Sequence, residues 1–321
     1  MRASLSLLAL SLVARPAAGS PREPVATFSI AAGDPAAGEL GVAVASRFFA
    51  VGVVVPWARA GVGAVATQAY ANTGYGPRGL DLLERGASPA EALAILLRGD
   101  ADRDRRQVGI IAAGGASVTY SGKGCNAWAG GRNGPGYAVQ GNILTGEPVV
   151  AAMEKTFLAT KGTLAERLYA ALAAGDAAGG DSRGRQSAAL LVVKKGAGYG
   201  GFDDRAIDIR VDDHPDPFKE LKRLLDMAEV NYAWNQGWTA FTQKRFPEAL
   251  AAQERAAALA PANAEVLYDL ACIRLAAGKR AEALQALGRA LAANPKLRAQ
   301  AKADADLAPL RGTREFEGMV R

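Results

Sequence analysis

Few side chains in this chain could act as nucleophile, base or metal ligand, and that scarcity limits its chemistry. There is one histidine, His214, within Asp212-Asp213-His214-Pro215-Asp216-Pro217. A Ser-His-Asp or Cys-His hydrolase would have to use it, yet the two prolines beside it read as the exit from a domain. A zinc helix of the HExxH type needs two histidines and is excluded. The two cysteines, Cys125 and Cys272, are far apart and form neither a disulfide framework nor a CxxC zinc motif. Cys125, in Gly124-Cys125-Asn126, has the chemistry of a nucleophile, although a buried structural thiol is the commoner role. Asp203, Asp204, Asp208, Asp212 and Asp213 offer oxygens of the kind calcium takes, but the DxDxDG spacing is absent and they read as a solvated loop. Hydrolytic chemistry here has to run without imidazole, and no metal is expected.

The net charge is +6 over 321 residues. The densest basic patch, Arg103, Arg105 and Arg106, is interleaved with Asp100, Asp102 and Asp104. A nucleic-acid surface would show a one-sided basic stripe with stacking aromatics, so that partner is not expected. Half of the residues are hydrophobic, which is enough for a sizeable core in two domains.

Strands alternate with helices over the first two thirds of the chain. Thr27-Phe28-Ser29-Ile30-Ala31 alternates as a strand, Asp34 to Gly38 is a turn, and Leu40 to Ser46 is its hairpin partner. Val51–Val55 and Val62–Thr67 read as further strands. Helices follow at Gly76–Glu84 and at Ser88–Arg98, where Ser88-Pro89-Ala90-Glu91 supplies an N-cap, an N1 proline and an N3 glutamate. Strands at 107–112 and 117–121, helices at 148–159 and 164–174, and strands at 188–194 and 207–211 complete an α+β pattern. No GxGxxG follows the first strand and there is no P-loop, so no nucleotide or other cofactor is expected.

Both ends differ from this middle. Arg2, the apolar run Leu5–Val13 and the small residues Ala14–Ser20 form an export signal over 1–19, with 20–26 as a linker or pro-segment. The expected destination is the periplasm or the extracellular medium, with no membrane span. From about Leu221, glycine thins out and a repeat begins. Ala233, Gly237, Ala249, Ala256 and Pro261 pair with Leu267, Ala271, Ala283, Ala290 and Pro295, each pair 34 residues apart. That period and those small-residue and proline positions are of tetratricopeptide type, giving an all-α repeat domain over 221–321. Such repeats bind peptides or proteins. Two of them are too few to stand alone, so they should lean on the first domain or on a second copy of the chain.

Several blocks of the first domain resemble the domain of unknown function 1028 family. They are Thr27-Phe28-Ser29-Ile30, Gly41 to Arg47, Pro56 to Ala64, Gln68 to Asn72, Gly134 to Asn142, Gly184 to Ala188 and Arg210 to Pro215. The resemblance covers about residues 27–226 and sets a domain at 27–220. It implies an N-terminal-nucleophile (Ntn) hydrolase-like fold, an αββα sandwich of two antiparallel sheets between helix layers. In that fold the nucleophile is the first residue of the mature first strand, and its own α-amino group, with a pKa of about 7.7–8.0, is the base.

Carried over, the resemblance makes Thr27 the nucleophile, with Ser29 as a weaker alternative. Ser46 and Arg47 end the second strand, where related enzymes hold a carboxylate that this chain lacks. Arg47 or Arg59 would lower the amine pKa or hold an anionic substrate. Asn72 and Asn142 would donate to an oxyanion. Asp181 and Ser187, flanking Arg183 and Arg185, would orient the amine. The function implied is hydrolysis of an amide bond in a peptide or small amide, with the repeats recruiting a partner. The alternative is a non-catalytic scaffold built on the same platform, and a homo-oligomer fits either.

Overall fold

The computed structural model describes residues 27–321; the expected export signal and the 20–26 segment lie outside them. The first part runs β1 (Thr27–Asp34), β2 (Glu39–Ser46), β3 (Pro56–Arg59), β4 (Gly63–Ala69), α1 (Tyr75–Glu84), α2 (Pro89–Arg98), β5 (Arg106–Ala112), β6 (Ser117–Ser121), β7 (Gly130–Gly134), β8 (Tyr137–Asn142), α3 (Pro148–Ala159), α4 (Leu164–Ala177), β9 (Ser187–Val193) and β10 (Arg205–Val211). The second part is helical: α5 (Pro217–Thr242), α6 (Phe246–Leu259), α7 (Ala264–Ala276), α8 (Arg280–Ala293), α9 (Leu297–Ala303), a 3₁₀ segment (Ala305–Leu310) and α10 (Arg314–Met319).

Two antiparallel sheets form, in the orders β10-β9-β2-β1-β8-β7 and β3-β4-β5-β6. Strand alternation sends each sheet's side chains to two faces. On the larger sheet Phe28, Ile30, Ala43 and Leu190 pack under Met153, Phe157, Leu168 and Leu172 of α3 and α4. On the smaller, Val65, Val108 and Ile110 pack under Leu80, Leu83, Leu93 and Leu96 of α1 and α2. The facing sides close on each other through Ala31, Val42, Val44, Ala64, Ala66 and Ile111. The result is four layers, helices outside and sheets inside.

Local chemistry sets the element ends. Asp34 accepts from the backbone N–H groups of Ala36 and Ala37 at 3.1 Å each, closing the β1–β2 hairpin. Ser88 and Glu91 form a reciprocal capping box at the start of α2, and Thr163 and Glu166 do the same for α4. The valine-rich stretch 51–55, expected as a strand, is a 3₁₀ turn at Val51–Val53. Here the chain crosses from one sheet to the other, and Val51 and Val55 are buried between them. β3, β7 and β8 are strands that hydrophobic alternation did not announce. In β7, glycine stands where a side chain would collide: a Cβ on Gly131 would lie 2.6 Å from the Val139 carbonyl oxygen.

The 220/221 limit drawn from the sequence falls inside one continuous helix, α5. Its first half buries Phe218, Leu221, Leu225 and Tyr232 against the sandwich. Tyr232 donates to Glu39 Oε1 at 3.2 Å, and the Asn235 amide donates to the Gly198 carbonyl at 2.8 Å. The helical part therefore leans on the first part. Short connections make α5 to α8 antiparallel neighbours. The residues in 34-residue register are at their contacts: Ala249, Ala256, Ala271, Ala283 and Ala290 are fully buried. A Cβ on Gly237 would stand 2.6 Å from Gln253 Oε1, so α5 and α6 approach closely there. Among the described residues, no helix is long and apolar enough to cross a membrane.

Candidate active site

Strand register brings four of the expected residues into one line. Asn142 of β8, Thr27 of β1, Ser46 of β2 and Ser187 of β9 are successive cross-strand partners. Phe28 points toward α3 and α4, so Thr27 and Ser29 on either side of it point toward the opposite sheet. The Thr27 hydroxyl is hydrogen bonded to Ser46 Oγ at 3.2 Å. Ser187 Oγ donates to the Phe48 carbonyl at 2.5 Å and accepts from Val51 N at 3.2 Å, fixing the loop beyond β2.

The opposite sheet answers with Gln68, Gln107 and Ser121, cross-strand partners on β4, β5 and β6. Thr27, Ser29, Gln68, Gln107 and Gln140 are 0% exposed, so each polar atom among them needs a protein partner. Ser29 Oγ donates to Gln68 Oε1 at 2.5 Å and accepts from Gln140 Nε2 at 2.7 Å. Gln68 Nε2 donates to the Thr27 carbonyl at 3.1 Å and to Gln107 Oε1 at 2.8 Å. Gln107 Nε2 donates to Ser121 Oγ and to the Gly141 carbonyl, at 2.7 Å each. Gln107 Oε1 also accepts from Asn142 Nδ2 at 2.9 Å. Gly109 makes room: a Cβ there would be 2.1 Å from Gln140 Oε1.

Beyond Ser46, Asp181 is buried at the same end of the sheet. It accepts from Arg47 N at 2.9 Å, Arg183 N at 3.0 Å and the Arg183 guanidinium at 3.0 Å. Arg47 is exposed and its guanidinium reaches the Arg183 carbonyl at 3.4 Å. Three non-glycine residues have left-handed backbones at this end: Ala50 (φ 53°), Ala69 (φ 66°) and Ile143 (φ 52°). Ala69 follows Gln68, Ile143 follows Asn142, and Ala50 precedes Val51, which is bonded to Ser187. Such conformations cost about 1–3 kcal/mol each and concentrate at functional sites.

Two expected residues lie outside this layer. Arg59 is paired with Asp81 at 2.9 Å and Glu84 at 2.7 Å. It is opposite Gly63, whereas the polar layer meets β4 at Gln68, about 16 Å along the strand. Asn72 donates to Asp100 Oδ2 at 3.0 Å, within a cluster where Asp100 also accepts from Tyr75 OH and Arg106 Nε, at 2.8 Å each. The Arg106 guanidinium holds the Asp100 carboxyl well below the usual range. Burial, reinforced by Asp100, pushes the Tyr75 hydroxyl up. Asn72 thus helps anchor the loop after β4.

The remaining reactive types are occupied elsewhere. His214 Nδ1 accepts from Asp216 N at 3.0 Å at the head of α5. Burial raises the pKa of both thiols, Cys125 and Cys272, which disfavours thiolate chemistry. Asp208 is paired with Arg205 and Arg210, and Asp204 accepts from Gly196 N.

Sequence reasoning passed over Gln68, Gln107 and Gln140. Their signal was alternation: Thr27 and Ser29 on one strand, Gln140 and Asn142 on another, are polar pairs two apart within apolar runs.

The comparisons agree with the extent of the sheet-containing part. A family model described as a family of unknown function, DUF1028, matches residues 27–221, from Thr27 to the first turns of α5. The crystal structure of protein SPO2555 from Silicibacter pomeroyi, assigned to the same family model, is 30% identical, with a TM-score of 0.60. The similarity covers 65% of this chain and 90% of that one. No curated protein matches the chain. On a family match that takes in every described strand and more than half of its length, the chain belongs to the family of unknown function DUF1028.

Proposed function

We propose that this protein is an exported hydrolase of the Ntn type that cleaves an amide bond through Thr27. The observation that carries the reading is the place of Thr27 on a central strand, its hydroxyl 3.2 Å from Ser46 Oγ within a buried polar layer. The four-layer arrangement and the start of the family match at Thr27 are in keeping with it.

The chemistry requires a break between Ala26 and Thr27, which frees the α-amino group. That amine takes the proton of Thr27 Oγ as the oxygen adds to the substrate carbonyl. Collapse breaks the C–N bond, and the proton passes to the leaving amine. Water, deprotonated by the same amine, then hydrolyses the ester and regenerates Thr27. Arg47, exposed beyond Ser46, would meet an anionic part of the substrate. The tetratricopeptide-type repeats would recruit a peptide or protein partner, or shape access to the site.

The test is a chain released at Thr27 and assayed against a panel of small amides and peptides. Activity lost at least 10³-fold in Thr27→Ala, with the fold retained, supports the proposal. Activity that survives Thr27→Ala, or no activity across the panel, counts against it.

A further inference from the structure

The buried layer around Thr27 leaves one side-chain atom without a partner. Asn142 is 1% exposed, and its Oδ1 has no hydrogen bond. Buried acceptors are almost always satisfied. The amide cannot simply turn over, because the network fixes which way it faces. Gln107 directs its NH₂ at Ser121 Oγ and the Gly141 carbonyl, so its Oε1 must face Gln68 Nε2 and Asn142 Nδ2. A turned Asn142 would set oxygen against oxygen. Its unpaired atom is therefore an acceptor and cannot serve as an oxyanion donor.

Thr27 is directly opposite Asn142 across β1 and β8. Residues so paired have Cβ atoms about 4.5–5.5 Å apart, which sets the Asn142 side chain beside Thr27. Ile143, next in the chain, has a left-handed backbone that a β-branched residue rarely adopts, and its N–H is tied to the Asn126 carbonyl at 3.1 Å. The strand end is thus locked around Asn142.

We infer that Asn142 is a positioning residue whose Oδ1 accepts a hydrogen bond from the α-amino group of Thr27 once the chain begins there. This rests on the proposed Ntn reading. It assigns the orienting role to an asparagine carbonyl on β8. A neutral acceptor holds the amine in place without the strong upward pKa shift that a carboxylate would impose, leaving it able to act as a base near neutral pH.

The experiment is a titration of the Thr27 amine, followed by NMR in ¹⁵N-threonine-labelled chain spanning Thr27 to Arg321. Unmutated protein is compared with Asn142→Leu, which removes the acceptor, and Asn142→Asp, which keeps an oxygen and charges it. Charged groups at this end include Asp181 with Arg183 and Arg47, the Asp100–Arg106 pair with Asp102, and Arg105 over the Tyr70 ring, all unchanged in both variants. The amine pKa should fall in Asn142→Leu and rise by about one unit or more in Asn142→Asp. Shifts in the same direction, or none, would mean only a structural role and overturn the inference.

If either variant fails to fold, a high-resolution crystal structure of the unmutated released chain decides. An Oδ1 within hydrogen-bonding distance of the α-amino nitrogen supports the inference, and an Oδ1 bonded elsewhere overturns it. Neither readout needs a substrate. A chain that titrates as expected but cleaves no amide refutes the hydrolase reading alone. An active chain whose amine ignores Asn142 refutes this inference alone.

Discussion

Thr27 and Ser46 are cross-strand partners on β1 and β2, and their hydroxyl oxygens are 3.2 Å apart in a fully buried layer. Ser46 is one group that holds the hydroxyl of Thr27. Ser46→Ala should leave the fold intact at a cost of about 1 kcal/mol. It should lower amide-hydrolysing activity by about 10- to 100-fold, mostly in kcat, because orientation is lost while binding is not. Steady-state kinetics with a urea melt separates the two effects.

Gln107 is the hub of the opposite sheet. Gln107→Leu would leave the donors of Gln68 and Asn142 facing an apolar side chain and strand the acceptors that Gln107 now serves. Buried groups so orphaned cost about 1–3 kcal/mol each. We expect a loss of at least about 3 kcal/mol in urea unfolding. Exposed control substitutions, such as Lys123→Arg, should change stability by less than about 1 kcal/mol.

The Asp100–Arg106 pair holds the loop that carries Asn72, with Arg106 also donating to the Tyr70 carbonyl. The folded carboxyl binds its proton more weakly than the unfolded one. Its contribution is therefore full above about pH 4 and is lost as acid protonates it below that. Asp100→Asn should destabilise the protein by about 3 kcal/mol at pH 7 and remove this component of acid unfolding. Melting temperature against pH, from 2 to 7, tests it.

Asp269 on α7 works in the opposite sense. Burial, with Asp304 and Asp306 nearby, pushes its carboxyl up to about 6, even though the Trp234 indole N–H donates to it at 2.7 Å. The folded state binds this proton more tightly, so the contribution is full below about pH 4 and is lost as pH rises through about 6. Asp269→Asn keeps an acceptor for Trp234 and removes the charge. It should stabilise the helical part at pH 7 by an amount on the order of 2 kcal/mol and flatten its stability between pH 4 and 7.

Elements with strong local signals were legible in the sequence. The capping box at Ser88 and Glu91, the Asp34 turn and the strand 117–121 all stand where alternation and turn chemistry placed them. Glycine-rich β7 and the crossover at Val51–Val53 were not, because tertiary contacts decide them: one strand lies where side chains cannot fit, and one valine run is bent between two sheets. The site divides the same way. Thr27, Ser46, Asn142 and Ser187 are strand-end residues and could be named, but only register shows that they form one row. Arg59 and Asn72 look equally polar in sequence, yet one is at the far end of its strand and the other is tied to Asp100. The three glutamines were passed over because a buried amide and a surface amide are the same letter.

The decisive measurement is the intact mass and N-terminal sequence of the protein recovered from its native host. A chain beginning at Thr27 is expected, its nucleophile and amine in one residue opposite Asn142 and Ser46. A chain that keeps residues ahead of Thr27, and stays unchanged on long incubation, would contradict catalysis through Thr27.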